Sequence, residues 1–148
     1  PSAFEATFIR GAQVYSNKVQ RAQDLNEKKA LLDSLMMIYD LRVQYFPSSP
    51  NYGTAYVLDR KAREYLTFNP SDREGVRKLY KEAIEAGLQS GYAALPDVAL
   101  VYFSNLCDDY KMGEVYPDAV LDEYARLAPI FESDAPGVKE AKTQFDTC

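Results

Sequence analysis

The sequence contains no histidine and no tryptophan, and it has only two cysteines among 148 residues. Without histidine, the chain lacks the commonest general base and the commonest metal ligand of proteins. Two cysteines are too few for a zinc site built from cysteine alone. The sequence also has no glycine-rich loop of the kind that holds phosphate groups. We therefore expect a protein that is not an enzyme, with no metal and no cofactor.

Basic charge and long apolar runs are also scarce. The net charge of −5 and the sequence pI near 4.8 argue against a nucleic acid as the main partner, because phosphate binding needs a basic face. No apolar run approaches the roughly 20 residues of a membrane span, so we expect no membrane insertion by this segment. Pro1 is not a natural start, so we expect any export signal or anchor to lie outside this sequence or to have been removed.

The cysteines, Cys107 and Cys148, sit in no redox spacing and leave two interpretations open. They form a disulfide in an oxidising compartment, or Cys107 is a buried thiol and Cys148 a loose terminal one. The sequence favours the second interpretation, because Cys107 lies within an apolar helical pattern that explains its burial.

The stretch 31–46 is the element around which we expect the rest of the chain to be arranged. It has apolar side chains over most of the helix circumference, and such a helix has neighbours on more than one side. One stripe at helical spacing consists of Leu32, Leu35, Met36, Tyr39, Val43 and Phe46.

Proline, glycine and asparagine divide the chain into further helical segments, and no stretch alternates as a strand does. The predicted helices cover approximately residues 2–21, 27–46, 55–68, 96–112, 117–131 and 137–146, with a fourth helix that starts at the capping box Ser71/Glu74 and ends near residue 88. The sequence thus predicts an all-α fold of about seven helices. At 148 residues it is most simply a single domain spanning 1–148.

Three of these helices share a pattern of large apolar residue, small residue and tyrosine at offsets 0, +4 and +7. A small residue lets the partner helix approach closely, and the aromatic residue fills the space beyond it. The triplets are Phe8/Ala12/Tyr15, Leu58/Ala62/Tyr65 and Phe103/Cys107/Tyr110. We expect the tyrosines at repeat positions to lie in the core: Tyr15, Tyr39, Tyr65, Tyr80, Tyr110 and Tyr124.

These triplets resemble the first helix of a tetratricopeptide repeat, and the helices that follow them resemble its second helix. The resemblance implies a right-handed α/α superhelix of about three helix pairs plus a terminal helix. The stretch 32–46, with Tyr56-Val57-Leu58-x-Arg60-Lys61 after it, is similar to a group of uncharacterised bacterial tetratricopeptide-like proteins that are usually exported. That similarity implies a periplasmic or cell-envelope location and no known activity.

The leading functional expectation is a non-catalytic scaffold that binds a peptide or protein segment on the concave face of its first helices. The alternative is a structural subunit of a larger bacterial envelope assembly. If the family register applies, the family's groove positions fall on Ile9, Gln13, Asn17, Asp59, Arg63, Ser104, Asp108 and Lys111. The sequence predicts no oligomeric state.

Two carboxylate patterns have simpler interpretations. Asp59 and Arg63 lie at i and i+4 in the order that favours an ordinary helix ion pair. Asp108 and Asp109 could bind Ca²⁺, but neighbours at i and i+1 point apart and no EF-hand loop surrounds them. We expect Asp108 and Asp109 to belong to a solvated face.

Overall fold

The computed structural model describes residues 2–148 and contains seven α-helices and no strand in that range. The all-α fold is therefore confirmed. The helices are α1 (Ala3–Arg21), α2 (Leu25–Tyr45), α3 (Thr54–Phe68), α4 (Arg73–Ser90), α5 (Leu95–Lys111), α6 (Pro117–Leu127) and α7 (Pro136–Asp146), with a 3-10 helix at Ala128–Phe131 after α6. None of the helices in the described range is long and apolar enough to cross a membrane.

The chain divides between Asp72 and Arg73 into two compact units. The first unit contains α1 to α3, and the second contains α4 to α7. Each unit has buried apolar side chains of its own. The single domain over 1–148 and the right-handed superhelix stay predictions.

In the first unit, α2 packs against both α1 and α3. Polar side chains set the helix starts, because Ser2 accepts a hydrogen bond from the Glu5 amide at 3.1 Å and Asp24 accepts one from the Glu27 amide at 2.8 Å. The buried residues of this core are Ala12, Val19, Leu32, Leu35, Tyr39 and Val57. The apolar stretch 31–46 thus has neighbours on two sides.

In the second unit, α5 is the helix against which α4, α6 and α7 pack. Phe145 of α7 joins this core, with ring centroids 4.5 Å from Phe103 and 4.5 Å from Phe131. All three phenylalanines are about 2% exposed. Aromatic contacts at this distance combine large buried area with favourable ring geometry, so α7 is anchored on α5.

The favoured interpretation of the cysteines is wrong. Cys107 of α5 and Cys148 form a disulfide, with Cα atoms 6.1 Å apart, a normal separation for such a bond. Cys107 is buried as expected. The sequence pattern could not show that α7 returns along α5 and brings the chain end to this thiol.

The prediction that Asp108 and Asp109 of α5 both lie on a solvated face is wrong for Asp109. Asp108 is exposed, whereas Asp109 is completely buried. Arg73 of α4 donates from Nε to Asp109 Oδ1 at 2.6 Å, and Arg77 donates to Asp109 Oδ2. Two guanidinium groups replace the water that a buried carboxylate loses, which is why this position tolerates burial.

The expected core tyrosines divide into three groups. Tyr39 and Tyr80 are buried, and Tyr15 and Tyr65 are half-buried. The prediction is wrong for the other two, since Tyr110 is 45% and Tyr124 is 38% exposed. Tyr110 lies next to the end of α5. Tyr124 stacks on Phe145 with one face and donates a hydrogen bond to Asp146 at 2.8 Å, so only part of it is covered.

Candidate functional site: a tyrosine-lined cavity in the first unit

A cavity of about 310 Å³ lies among α1, α2, α3 and the loop between α2 and α3. Its α1 side is formed by Ile9, Gln13 and Asn17, three of the predicted groove residues. The volume lies at the lower end of the range typical of small-ligand sites, about 300–1,000 Å³. The opposite side carries aromatic and charged side chains: Tyr39, Arg42, Tyr52, Tyr56, Arg60 and Glu64.

Arg42 occupies a buried position at the end of α2. It follows Tyr39 by three residues on the same helix face, and the two side chains are only 4% and 3% exposed. The Arg42 guanidinium carbon lies 5.7 Å from the centroid of the Tyr39 ring, a cation–π distance. Arg42 also lies in the last turn of α2, where the helix carbonyls favour a positive charge.

The Arg42 guanidinium makes no hydrogen bond or ion pair within residues 2–148, although it lines the cavity. Burial lowers the pKa of Arg42, and the nearby Tyr39 hydroxyl and Glu5 carboxylate act in the opposite direction. Glu5 lies beyond ion-pair distance from Arg42, and its buried Oε1 accepts no hydrogen bond. The guanidinium donors are therefore available to a group inside the cavity.

Glu64 is held at the α3 side of the cavity by its neighbours. Ser16 of α1 donates a hydrogen bond to Glu64 Oε1 at 3.1 Å, and the same oxygen lies 3.5 Å from Arg60 Nη2. Burial, followed by the Glu64 carboxylate, raises the pKa of Tyr39. A tyrosine hydroxyl is protonated at neutral pH in any case, so Tyr39 is a hydrogen-bond donor here, and the Glu64 carboxylate is the neighbouring acceptor.

The loop before α3 places a second aromatic pair at the cavity. Tyr52 and Tyr56 meet edge to face, with centroids 5.1 Å apart. Thr54 fixes the loop by donating from its backbone amide to the Pro47 carbonyl at 3.1 Å and from its hydroxyl to the same oxygen at 3.2 Å. At Gly53, a Cβ atom would come within 3.2 Å of two backbone oxygens, so a larger residue would push this loop away.

The remaining predicted groove residues lie elsewhere. Asp59 and Arg63 are outside the lining of this cavity and form an ion pair at 2.5 Å, with Asp59 buried. Ser104, Asp108 and Lys111 are exposed on α5, in the second unit, and Asp108 lies 3.8 Å from Lys111. The structure thus brings together the predicted residues of α1, and it adds charged residues of α2 and α3 that sequence reasoning missed.

A sequence signal for Arg42 did exist. Arg42 stands between Leu41 and Val43 in an apolar stretch of α2, seven residues after the buried Leu35. Seven residues are about two helical turns, so this spacing puts a charge on the buried face. Val43 of the predicted apolar stripe is partly buried against the core, and Arg42 beside it is buried as well.

A larger depression of about 570 Å³ lies between α4 and α6 in the second unit, but both of its cationic side chains, Lys81 and Arg126, are already paired with Glu123. Glu123 Oε2 accepts a hydrogen bond from Arg126 Nη2 at 2.7 Å, and Glu123 Oε1 lies 4.0 Å from Lys81 Nζ. No group of three or more possible metal-binding side chains occurs within residues 2–148. The cavity of the first unit is therefore the better candidate for ligand binding.

Comparison of the chain with protein-family models, curated protein sequences and solved structures finds no match.

Proposed function

We propose that this chain is a non-catalytic interaction scaffold that binds a peptide or protein segment through the cavity face of its first unit. The observation that carries the proposal is that Gln13 and Asn17 line one cavity together with tyrosines and a buried arginine, Arg42, that makes no hydrogen bond within residues 2–148. Tyrosine and arginine are the residues enriched at the energetic centres of protein interfaces. Exposed amide side chains beside them supply hydrogen bonds to a peptide backbone.

The wider proposal is a degenerate tetratricopeptide-like helical protein of the bacterial envelope. The all-α fold supports this architecture. The disulfide between Cys107 and Cys148 supports an exported location, because such bonds persist mainly in oxidising compartments.

The test begins with capture of proteins from a native envelope fraction on the immobilised chain. Captured proteins are identified by mass spectrometry, and the dissociation constant of the purified partner is then measured for variants. We expect the double variant Gln13→Ala/Asn17→Ala to raise the dissociation constant tenfold or more, equivalent to about 1.4 kcal/mol. Both side chains are exposed, so their truncation should leave the fold intact.

The matched control is Gln44→Ala, which removes an exposed amide of α2 that does not line the cavity. It should leave partner affinity within twofold. A partner bound equally well by the double variant and by the control would move the binding surface away from this cavity.

A structural subunit of a larger assembly is the second candidate function, and one observation favours it. The second unit exposes large apolar side chains near and on α6: Met112 at 59%, Tyr116 at 85% and Leu121 at 65%. Apolar side chains exposed to this extent are typical of surfaces that are covered in an assembly. Under this proposal, Tyr116→Ser/Leu121→Ser would release the chain from its complex in size-exclusion chromatography, while Gln13→Ala/Asn17→Ala would not.

A further inference from the structure

We propose that the cavity of the first unit is a carboxylate-binding site, occupied by an acidic side chain of the bound segment, with Arg42 as its anchoring residue. The inference rests on the proposed function and specifies the chemistry of the partner. It depends on three features of the cavity: a guanidinium without a hydrogen-bond acceptor, the charges around it and the amide donors of the lining.

The first feature is the state of Arg42. A buried charge is ordinarily paired, because its removal from water costs several kcal/mol without compensation. Asp109 in the second unit follows that rule, with two arginine partners. Arg42 is 4% exposed and has no such partner within residues 2–148. An incoming carboxylate would supply the missing acceptor.

The second feature is the charge balance of the lining. The charged residues of the lining are Arg42, Arg60 and Glu64, which together leave one positive charge. Arg60 and Glu64 partly compensate each other at 3.5 Å. The buried Glu5 carboxylate also acts on Arg42 from outside the lining, although it makes no hydrogen bond to it. A monoanionic carboxylate adds less negative charge beside Glu5 and Glu64 than a dianionic phosphate would, so the lining favours a carboxylate over a phosphate.

The third feature is the arrangement of donors around Arg42. The planar fork of an arginine can donate two parallel hydrogen bonds to one carboxylate. The side-chain amides of Gln13 and Asn17 line the same cavity and are exposed. The aromatic rings of Tyr52 and Tyr56 offer apolar surface for the methylene groups of a glutamate side chain.

The test uses the full chain and small probes, so it does not depend on a partner being found. The first probe is N-acetyl-glutamate amide, which has a single side-chain carboxylate and no charged terminus. N-acetyl-glutamine amide, which has the same shape and no charge, is its control. Binding is followed by NMR through the side-chain amide signals of Gln13 and Asn17.

We expect the glutamate probe to shift the Gln13 and Asn17 signals in a saturable way and to bind at least tenfold more tightly than the glutamine probe. Arg42→Gln should lose this preference. Arg10→Gln, at an exposed position outside the cavity lining, should keep it. Because the comparison of the two probes is made on the unaltered chain, it stands even if Arg42→Gln fails to fold.

Equal binding of the two probes, or no saturable shift with the glutamate probe, overturns the proposal. Inorganic phosphate is the third probe, and phosphate binding tighter than that of the glutamate probe overturns the assignment to a carboxylate. The result is independent of the capture experiment. If the glutamate probe binds but no partner is captured, only the scaffold function is contradicted. If a captured partner binds the unaltered chain and Arg42→Gln equally well, only the role of Arg42 as the anchoring residue is contradicted.

Discussion

Two buried charges, Asp109 and Arg42, differ in whether side chains of the protein complete their hydrogen bonds. Asp109 is enclosed by Arg73 and Arg77, and Arg73 also donates from Nη2 to the Asn105 carbonyl at 3.2 Å. Its charge is fully compensated inside the protein. Arg42 faces a cavity, and no side chain within residues 2–148 completes its hydrogen bonds. An arginine whose hydrogen-bond acceptor must come from outside is what the proposed carboxylate site requires.

Removal of the Asp109 charge should be strongly destabilising. In Asp109→Asn, the two guanidinium groups keep their positions but lose the negative charge, and breaking a buried pair in this way costs about 3–5 kcal/mol. The measurement is urea unfolding followed by circular dichroism. The control is Asp108→Asn, whose exposed carboxylate lies 3.8 Å from Lys111 and should contribute less than about 0.5 kcal/mol. Equal midpoints for the two variants would contradict the assigned role of Asp109.

Part of the candidate site could be predicted from sequence. Ile9, Gln13 and Asn17 were predicted from the resemblance to the tetratricopeptide register, and their spacing of four residues puts them on one face of α1. The contribution of α2 could not be predicted in the same way, because a charge within an apolar stretch can face solvent or the core. Only the packing of α2 between α1 and α3 decides that Arg42 faces inward.

At the scale of the helix, α7 is attached to α5 by two different kinds of contact. Phe145 packs on Phe103, and its ring also stacks on Tyr124 with centroids 4.7 Å apart. The disulfide from Cys148 to Cys107 then closes a segment with a sequence separation of 41 residues. A cross-link of this length restricts the unfolded chain, so α7 is tied to α5 by covalent as well as apolar interactions.

Reduction should weaken the second unit. Loss of a disulfide with this loop length costs about 2–4 kcal/mol. We expect Cys148→Ser to lower the thermal midpoint and to remove any effect of a reducing agent on it. The measurement is thermal unfolding with and without reductant, together with thiol titration, which should find no free thiol in the untreated protein. Rapid labelling of Cys148 in untreated protein would contradict the disulfide.

The helix segments themselves were readily predicted, because proline and glycine mark their ends. Gly91 and Gly113 both have positive φ angles, at 64° and 80°, which other residues adopt at a cost. The ends of α2 and α6 were harder to predict. Asp24 caps α2 at Leu25, earlier than expected, and the segment with Pro129 continues α6 as a 3-10 helix instead of an α-helix.

At the scale of the whole chain, the division between residues 72 and 73 separates the candidate binding cavity, in the first unit, from the disulfide, in the second. The cavity with Arg42 is formed entirely by the first unit. The disulfide, the buried Asp109 network and the phenylalanine cluster are all formed within the second unit. The second unit therefore contains every interaction that we identify as stabilising it.

Because these interactions all lie within the second unit, we predict that residues 73–148 fold as an isolated fragment. Domains typically have a stability of 0.05–0.15 kcal/mol per residue, so we expect about 4–11 kcal/mol for the oxidised fragment. Circular dichroism should show a helical spectrum and a single cooperative thermal transition. The reduced fragment is the control, and it should unfold at a lower temperature because the cross-link from Cys148 to Cys107 is lost. A gradual, non-cooperative melt of the oxidised fragment would show that the second unit needs the residues before Arg73 in order to fold.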